Sequence, residues 1–372
     1  MSDWGTRPLS DIVSLQRGHD LPTQTRRSGT VPVIGSFGVT GWHDEAKAPG
    51  PGVTIGRSGA SIGKAVYVAQ DYWPLNTCLY VTDFKDNDPR WVFHTLDLID
   101  FTAYNSGSAQ PSLNRNYLAQ IPVSVPDVDE QRRISSVLGA LDDLIENHRS
   151  MSSAAVGLAK ATLIDAPADA QVRVGDVAEA RRGLSYKGAG LADTGIPMVN
   201  MGSAANFGWL KRDGWKFYVG DYKPRHVARA GDLIITNTEQ TWRQEIIGWP
   251  MLVPGDVREA LFTHHTYLVD FTPEMRWMRL PLWAYLFTDE ARARFNGSIR
   301  GTTVANLPID VVENLVFPAP PEDHPSLRAA QSLLESAWAD ELAAADLTRT
   351  RDELRPLLMS GKVRVSENLA VA

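Results

Sequence analysis

The sequence has a single cysteine, Cys78, which excludes an internal disulfide and leaves no thiolate cluster for zinc. Its setting, Leu75-Asn76-Thr77-Cys78-Leu79-Tyr80, reads as a strand with the thiol buried. No apolar run approaches the roughly 18 residues that a bilayer crossing requires. The opening Met1–Gly5 has no basic segment followed by an apolar stretch, so no export signal is visible and a cytoplasmic location is expected. A surplus of positive charge is also missing. The formal net charge is -7, which argues against coating nucleic acid by charge alone. Basic and acidic residues balance between residues 166 and 320, and most of the surplus acid lies in connecting segments. Any affinity for DNA must come from charge placement or from a basic partner.

Catalytic signatures are equally scarce. There is no Gly-x-x-x-x-Gly-Lys-Ser/Thr loop for ATP. Asp88-Pro89-Arg90-Trp91 resembles an adenine-methyltransferase tetrapeptide but has Arg90 where a second proline belongs, and no doubly wound α/β pattern surrounds Phe37–Gly41 to make it a cofactor loop. His264-His265 is the only adjacent histidine pair. Read as strand residues, the two face opposite ways, with no acidic ligands beside them. No catalytic residue, cofactor-binding residue or metal ligand is expected on this chain.

What is present is a duplication. Leu9-Ser10-Asp11-Ile12-Val13 and Arg17-Gly18 have counterparts in Val174-Gly175-Asp176-Val177-Ala178 and Arg182-Gly183. Gly29–Ile34 matches Gly195–Val199 around Pro32 and Pro197, and Pro51–Gly56 matches Ala230–Thr236, a turn followed by a β-branched strand. Polar loops follow at Tyr104–Ser112 and Phe295–Thr303, then proline-punctuated exits at Ile121–Pro126 and Leu315–Pro321. After each exit comes a helical stretch. Asp129-Glu130-Gln131 suits a helix start, and Ile134, Leu138, Leu141, Ile145, His148 and Ala155 make a coiled-coil-like stripe. Leu327, Leu334, Trp338, Leu342 and Ala345 mark one side of the second helix, the expected partner, and Val172-Arg173-Val174 and Val363-Arg364-Val365 read as matching strands beyond the helices. The expectation is an α+β chain with globular units at 1–128 and 166–321. Helices in 129–165 and 322–372 pair as an antiparallel coiled coil in a pseudo-twofold arrangement. Such a plan suits a target that is itself bipartite.

These segments resemble the specificity (S) subunits of type I restriction-modification systems. The likeness is carried by Val53–Lys64, Pro74–Thr77, Ser106–Leu113, Ile121–Pro126 with Glu130–Ile134, and Leu138–Ile145. The second copy departs at Thr236–Thr241, which replaces the glycine-rich loop, and at Glu322-Asp323-His324-Pro325, which replaces the Glu-Gln helix start. The resemblance implies two target-recognition domains, each reading one half of a split site in double-stranded DNA, with the helices setting the gap. It implies two methyltransferase (M) subunits carrying S-adenosylmethionine and restriction (R) subunits using ATP and Mg, with no cofactor on this chain.

Base edges in the major groove are read by Arg or Lys against guanine and Asn or Gln against adenine, while backbone amides and hydroxyls take phosphate. Candidates in the first half are Arg57, Ser58, Ser61 and Lys64, then Ser106, Ser108, Gln110, Asn114 and Arg115. In the second they are Asn237, Gln240, Arg243 and Gln244, then Asn296, Ser298, Arg300, Thr302 and Thr303. Trp42, Trp209, Trp215 and Trp242 suit stacking beside bases or packing in a core. Two other functions fit the same residues: a non-enzymatic adaptor whose end domains bind peptide or glycan, and a self-sufficient DNA methyltransferase.

Overall fold

A computed structural model describes residues 4–57, 61–104, 113, 115–204, 211–212, 215–239, 246–301 and 304–366. The chain forms two units of mixed helix and sheet, residues 1–146 with 344–372 and residues 147–343. In the first, an antiparallel sheet has the order Ser14–Arg17, Cys78–Asp83, Gly52–Gly56, Ala65–Val68. The second repeats it as Ala178–Arg182, Thr266–Phe271, Leu233–Thr236, Pro250–Leu252. Gly52–Gly56 and Leu233–Thr236 are buried throughout, which is why both read as unbroken apolar or β-branched runs. A second sheet in each unit contains one parallel pair, Val31–Gly35 with Trp73–Pro74 and Ile196–Val199 with Ala260–Phe262. Each proline exit pairs with the strand that opens its unit: Pro122–Val125 with Gly5–Pro8, and Val316–Ala319 with Ala170–Arg173. Cys78 is buried as expected, and burial pushes its thiol up to about 12.

The long helices run over Val128–Ile164 and Pro325–Met359, and among the described residues no helix is long and apolar enough to cross a membrane. The first starts where Gln131, fully buried, donates to Asn87 Oδ1 (2.9 Å) and to the Pro126 carbonyl (3.1 Å) and accepts from the Asp88 amide (3.0 Å). Asp88 in turn caps the helix Pro89–Leu98, accepting from the Trp91 amide at 2.9 Å. The Asp-Pro-Arg-Trp string is thus a helix start, with proline where its missing N–H costs nothing. In the second unit, His148 Nδ1 lies 2.7 Å from Asp340 and Ser152 donates to the Ala337 carbonyl at 3.0 Å, so the helices pair antiparallel there. In the first unit Asp142 accepts from Arg351 at 2.8 Å, while Ile134 and Leu138 share a core with Leu358, again antiparallel.

Two details of the repeat pattern need correction. On the second helix the buried apolar positions are Leu327, Ala330, Leu334, Ala337, Trp338, Ala344 and Leu358, while Leu342 and Ala345 are exposed. Small alanines carry the inner face, so hydrophobicity alone picks the wrong side. Residues 363–365 form no strand. Gly5–Pro8 already pairs with Pro122–Val125, and Val365 instead packs on the first core.

Partly exposed ion pairs around the buried His94 tie the helices to the rest of the first unit. His94 is fully buried with its Nε2 3.4 Å from Asp142, Arg90 bonds Asp143 at 2.7 Å, and Arg355 bonds Asp97. Burial, reinforced by the cations Arg355, Arg351 and Arg90, pushes His94 down to about 3. The unfolded chain takes up a proton near the ordinary value of 6.5, and the folded chain does not until far lower pH. Stability present above pH 6.5 is therefore lost as pH falls towards 3, by at most about 1.4 kcal/mol per pH unit from this group. His94→Gln is expected to flatten that slope in urea titrations at successive pH values; an unchanged slope would show that His94 is not its source.

Candidate nucleic-acid interface

The polar loops of both units hang on the same frame. In the first, the Gly56 amide donates to the Lys64 carbonyl and the Gly63 amide to the Gly56 carbonyl, both at 2.9 Å. In the second, the Thr236 amide donates to Trp249 (3.1 Å) and the Gly248 amide to Thr236 (2.8 Å). Gly63 and Gly248 have φ of +79° and +72°. A Cβ on them would lie 2.6 Å from Phe101 and 2.4 Å from Phe295. Both positions therefore demand glycine for conformation and for space.

Arg57 and Asn237 are equivalent residues. The Arg57 amide donates to Thr77 (3.0 Å) and its carbonyl accepts from Leu113 (2.9 Å); the Asn237 amide donates to His265 (2.9 Å) and its carbonyl accepts from Leu307 (2.8 Å). These bonds join Arg57 to Leu113 and Asn237 to Leu307, residues far apart in sequence. In the second unit Thr238–Glu239 also pairs with Ala305–Asn306, and Arg300 exchanges backbone bonds with Asn306 at 2.9 and 2.8 Å.

Among the candidates, Lys64, Asn296 and Arg300 are exposed, and Arg57 and Ser298 are half-buried, with the Ser298 hydroxyl donating to the Arg294 carbonyl at 2.9 Å. Ser61 and Asn237 are buried. The Ser61 carbonyl closes the loop by accepting from the Lys64 amide at 3.0 Å, and Asn237 donates through Nδ2 to the His264 carbonyl at 3.2 Å. The Asn237 side chain thus serves the loop frame. Ser58, Ser106, Ser108, Gln110, Asn114, Gln240, Arg243, Gln244, Thr302 and Thr303 lie outside the described residues, as does the side chain of Arg115.

The histidine pair departs from expectation. His264 and His265 occupy a turn, with ring centroids 3.8 Å apart, so they do not alternate across a strand. The turn is the counterpart of Asn76-Thr77: the Asn76 amide donates to His19 and the His264 amide to Leu184, both at 3.0 Å. A second shared feature was not legible as such. Pro32 pairs across the strands with Trp42, and Pro197 with Phe217. Both aromatics are exposed, at 53% and 36%. Trp215 is half-buried beside the Arg212 guanidinium, and Trp209 and Trp242 lie outside the described residues.

Comparison with known proteins follows the same lines. Residues 1–153 match the family described as type I restriction modification DNA specificity domain. The EcoprrI type I restriction enzyme specificity subunit of Escherichia coli is 25% identical over 151 residues, 39% of this chain and 38% of that protein. A putative type I specificity subunit of Haemophilus influenzae, S.HindORF215P, is 22% identical over 143 residues, 37% of each. The chain thus matches less than two-fifths of the length of either relative. Its fold extends further: the crystal structure of a type I restriction-modification S subunit from M. genitalium matches with a TM-score of 0.63 at 13% identity, covering 96% of both chains. Residues 1–153 are thus similar to a type I restriction-modification DNA specificity domain, and the chain shares the fold of that S subunit over nearly its whole length.

Proposed function

We propose that this chain is the non-catalytic, sequence-reading subunit of a type I restriction-modification complex in the cytoplasm. Residues 1–128 and 166–321 act as target-recognition domains, one for each half of a bipartite site in double-stranded DNA. The helical segments 129–165 and 322–372 are the spacers to which methyltransferase subunits, two per complex, attach. Those subunits supply S-adenosylmethionine and the restriction subunits use ATP and Mg. The observation that carries this reading is the backbone frame repeated at Arg57 and Asn237, which holds Leu113 in one unit and Leu307 in the other. Exposed Lys64, Asn296 at the end of the helix Asp289–Asn296, and Arg300 offer donors to phosphates or base edges, and phosphate contacts fix register while base contacts specify. Docked in this way, the chain would present a target adenine for a partner subunit to flip and methylate.

The test is methylation. Co-expressed with a type I methyltransferase subunit that assembles with it, the chain is expected to direct methylation to one bipartite motif, read by sequencing methylated bases in the host genome. The purified chain alone is expected to methylate and cleave nothing. Methyl transfer by the lone chain that survives two unrelated purifications would make it an enzyme and end this reading.

A further inference from the structure

We infer that the His264–His265 turn, with Arg182 and Lys216 beside it, is a proton-dependent contact for a phosphate of the DNA backbone, present in the second unit only. The inference rests on the DNA-reading role proposed above and adds a regulated contact to it. The turn sits at the base of the candidate loops, because the His265 carbonyl holds the Asn237 amide at 2.9 Å. Both rings are half-exposed.

A hydrogen-bond chain sets which nitrogen titrates. Asn237 Nδ2 donates to the His264 carbonyl (3.2 Å), so its Oδ1 faces the Thr238 hydroxyl, which donates to it at 2.6 Å. Thr238 has then spent its only proton, and its oxygen, 3.0 Å from His265 Nδ1, accepts from that nitrogen. His265 therefore carries its neutral proton on Nδ1 and titrates at Nε2. His264 Nδ1 lies 3.4 Å from the Leu184 carbonyl, an acceptor only, which favours the same tautomer. Asn237 is thus a positioning residue for the histidine pair.

The surroundings are cationic. Arg182, ending the strand Ala178–Arg182, donates from Nε to the His264 carbonyl at 3.1 Å. Lys216, on the strand Lys216–Tyr218, donates to the Tyr186 hydroxyl at 3.0 Å, and the Tyr186 ring lies 6.4 Å from that of His264. Thr238 is the neutral neighbour, and Glu239 beside it turns its carboxylate to the amides of Ile246 and Ile247 at 2.8 and 3.1 Å. Among the described residues no carboxylate lies within ion-pair distance of either ring. Burial, then His264, Arg182 and Lys216, hold His265 below the ordinary histidine range. A phosphate brings the missing negative charge, and binding there takes up a proton. The first unit has Asn76-Thr77 in this place, and its nearby histidine, His19, lies on the strand side of the turn with its ring 3.3 Å from the Tyr80 hydroxyl.

The experiment uses the full chain and a fluorescein-labelled duplex of mixed sequence, with affinity read by anisotropy at fixed salt from about pH 6 to about pH 8. Wild-type affinity is expected to fall by about tenfold across that range, the scale of one charge-assisted contact. H264N/H265T installs the first unit's own turn, so the backbone bonds are retained, and thermal melting checks folding. It is expected to bind with no pH dependence, at the wild-type level of the alkaline end. Lys216→Gln is expected to reduce the slope of log K against log salt by about one. Phosphate exchanged for chloride at equal ionic strength should leave the wild-type pH dependence intact; its loss would mark a free-anion site and overturn the assignment to the duplex. A folded H264N/H265T variant with the wild-type pH profile would overturn the inference and leave the DNA reading standing. A wild-type chain that binds no duplex at any pH would bring down both.

Discussion

Gly183→Ala is expected to destabilise the second unit by about 2–4 kcal/mol, and Gly18→Ala the first by a similar amount. Neither glycine has a left-handed φ, and the requirement is one of close approach. A Cβ on Gly183 would lie 2.3 Å from the Phe262 carbonyl oxygen and 2.4 Å from that of Thr263. On Gly18 it would meet the Leu75 and Pro74 carbonyl oxygens at 2.2 and 2.6 Å. These are backbone atoms of the parallel pairs in each second sheet, so they cannot turn aside as a side chain would. In both units the chain crosses here from one sheet to the other, and the next residue bridges the same strand, His19 to Leu75 and Leu184 to Thr263. The control is Gly157→Ala, an exposed helix position with nothing within 4 Å of the added carbon, where a gain of up to about 1 kcal/mol is expected. Urea midpoints measure all three. A Gly183→Ala chain as stable as the parent would show that the backbones are not as close as described.

The Arg-Gly pairs at residues 17–18 and 182–183 were legible in the sequence because the constraint they answer is local and repeated. Much of the helix pairing was also legible: Ile134, Leu138 and Ile145 are buried where the stripe predicts. Beyond His148 the inner face passes to Ser152, Val156, Ala159 and Leu163, where a hydroxyl and an alanine dilute the apolar signal. The second helix was misread at Leu342 and Ala345 for the related reason that alanines occupy its inner face. Loop polarity was more deceptive still. Ser61 and Asn237 have the chemistry of base readers, yet both are buried, and a side chain such as Asn237, which holds the His264 carbonyl, looks the same in sequence as one that faces a ligand. His264-His265 carries no turn-forming residue, so only its equivalence to Asn76-Thr77 reveals the turn. That equivalence rests on backbone hydrogen bonds, which leave no trace in composition or periodicity.

The second large effect concerns specificity, and it bears on the central claim that each unit reads its own half-site. Each unit has a full strand set and a loop frame of its own. Exchange of residues 1–128 for the corresponding segment of a relative with a different target should therefore act on one half-site alone. The splice falls at the start of the first long helix, Val128–Ile164, so Asn87 and Gln131 must be retained as a matched pair to preserve the helix start. The measurement is the methylated motif that the chimaera directs with its methyltransferase partner, read by sequencing methylated bases across a genome. The account predicts a motif in which one half has changed to that of the donor and the other is untouched. An assembled, methylating complex in which both halves change together, or in which neither changes, would contradict it.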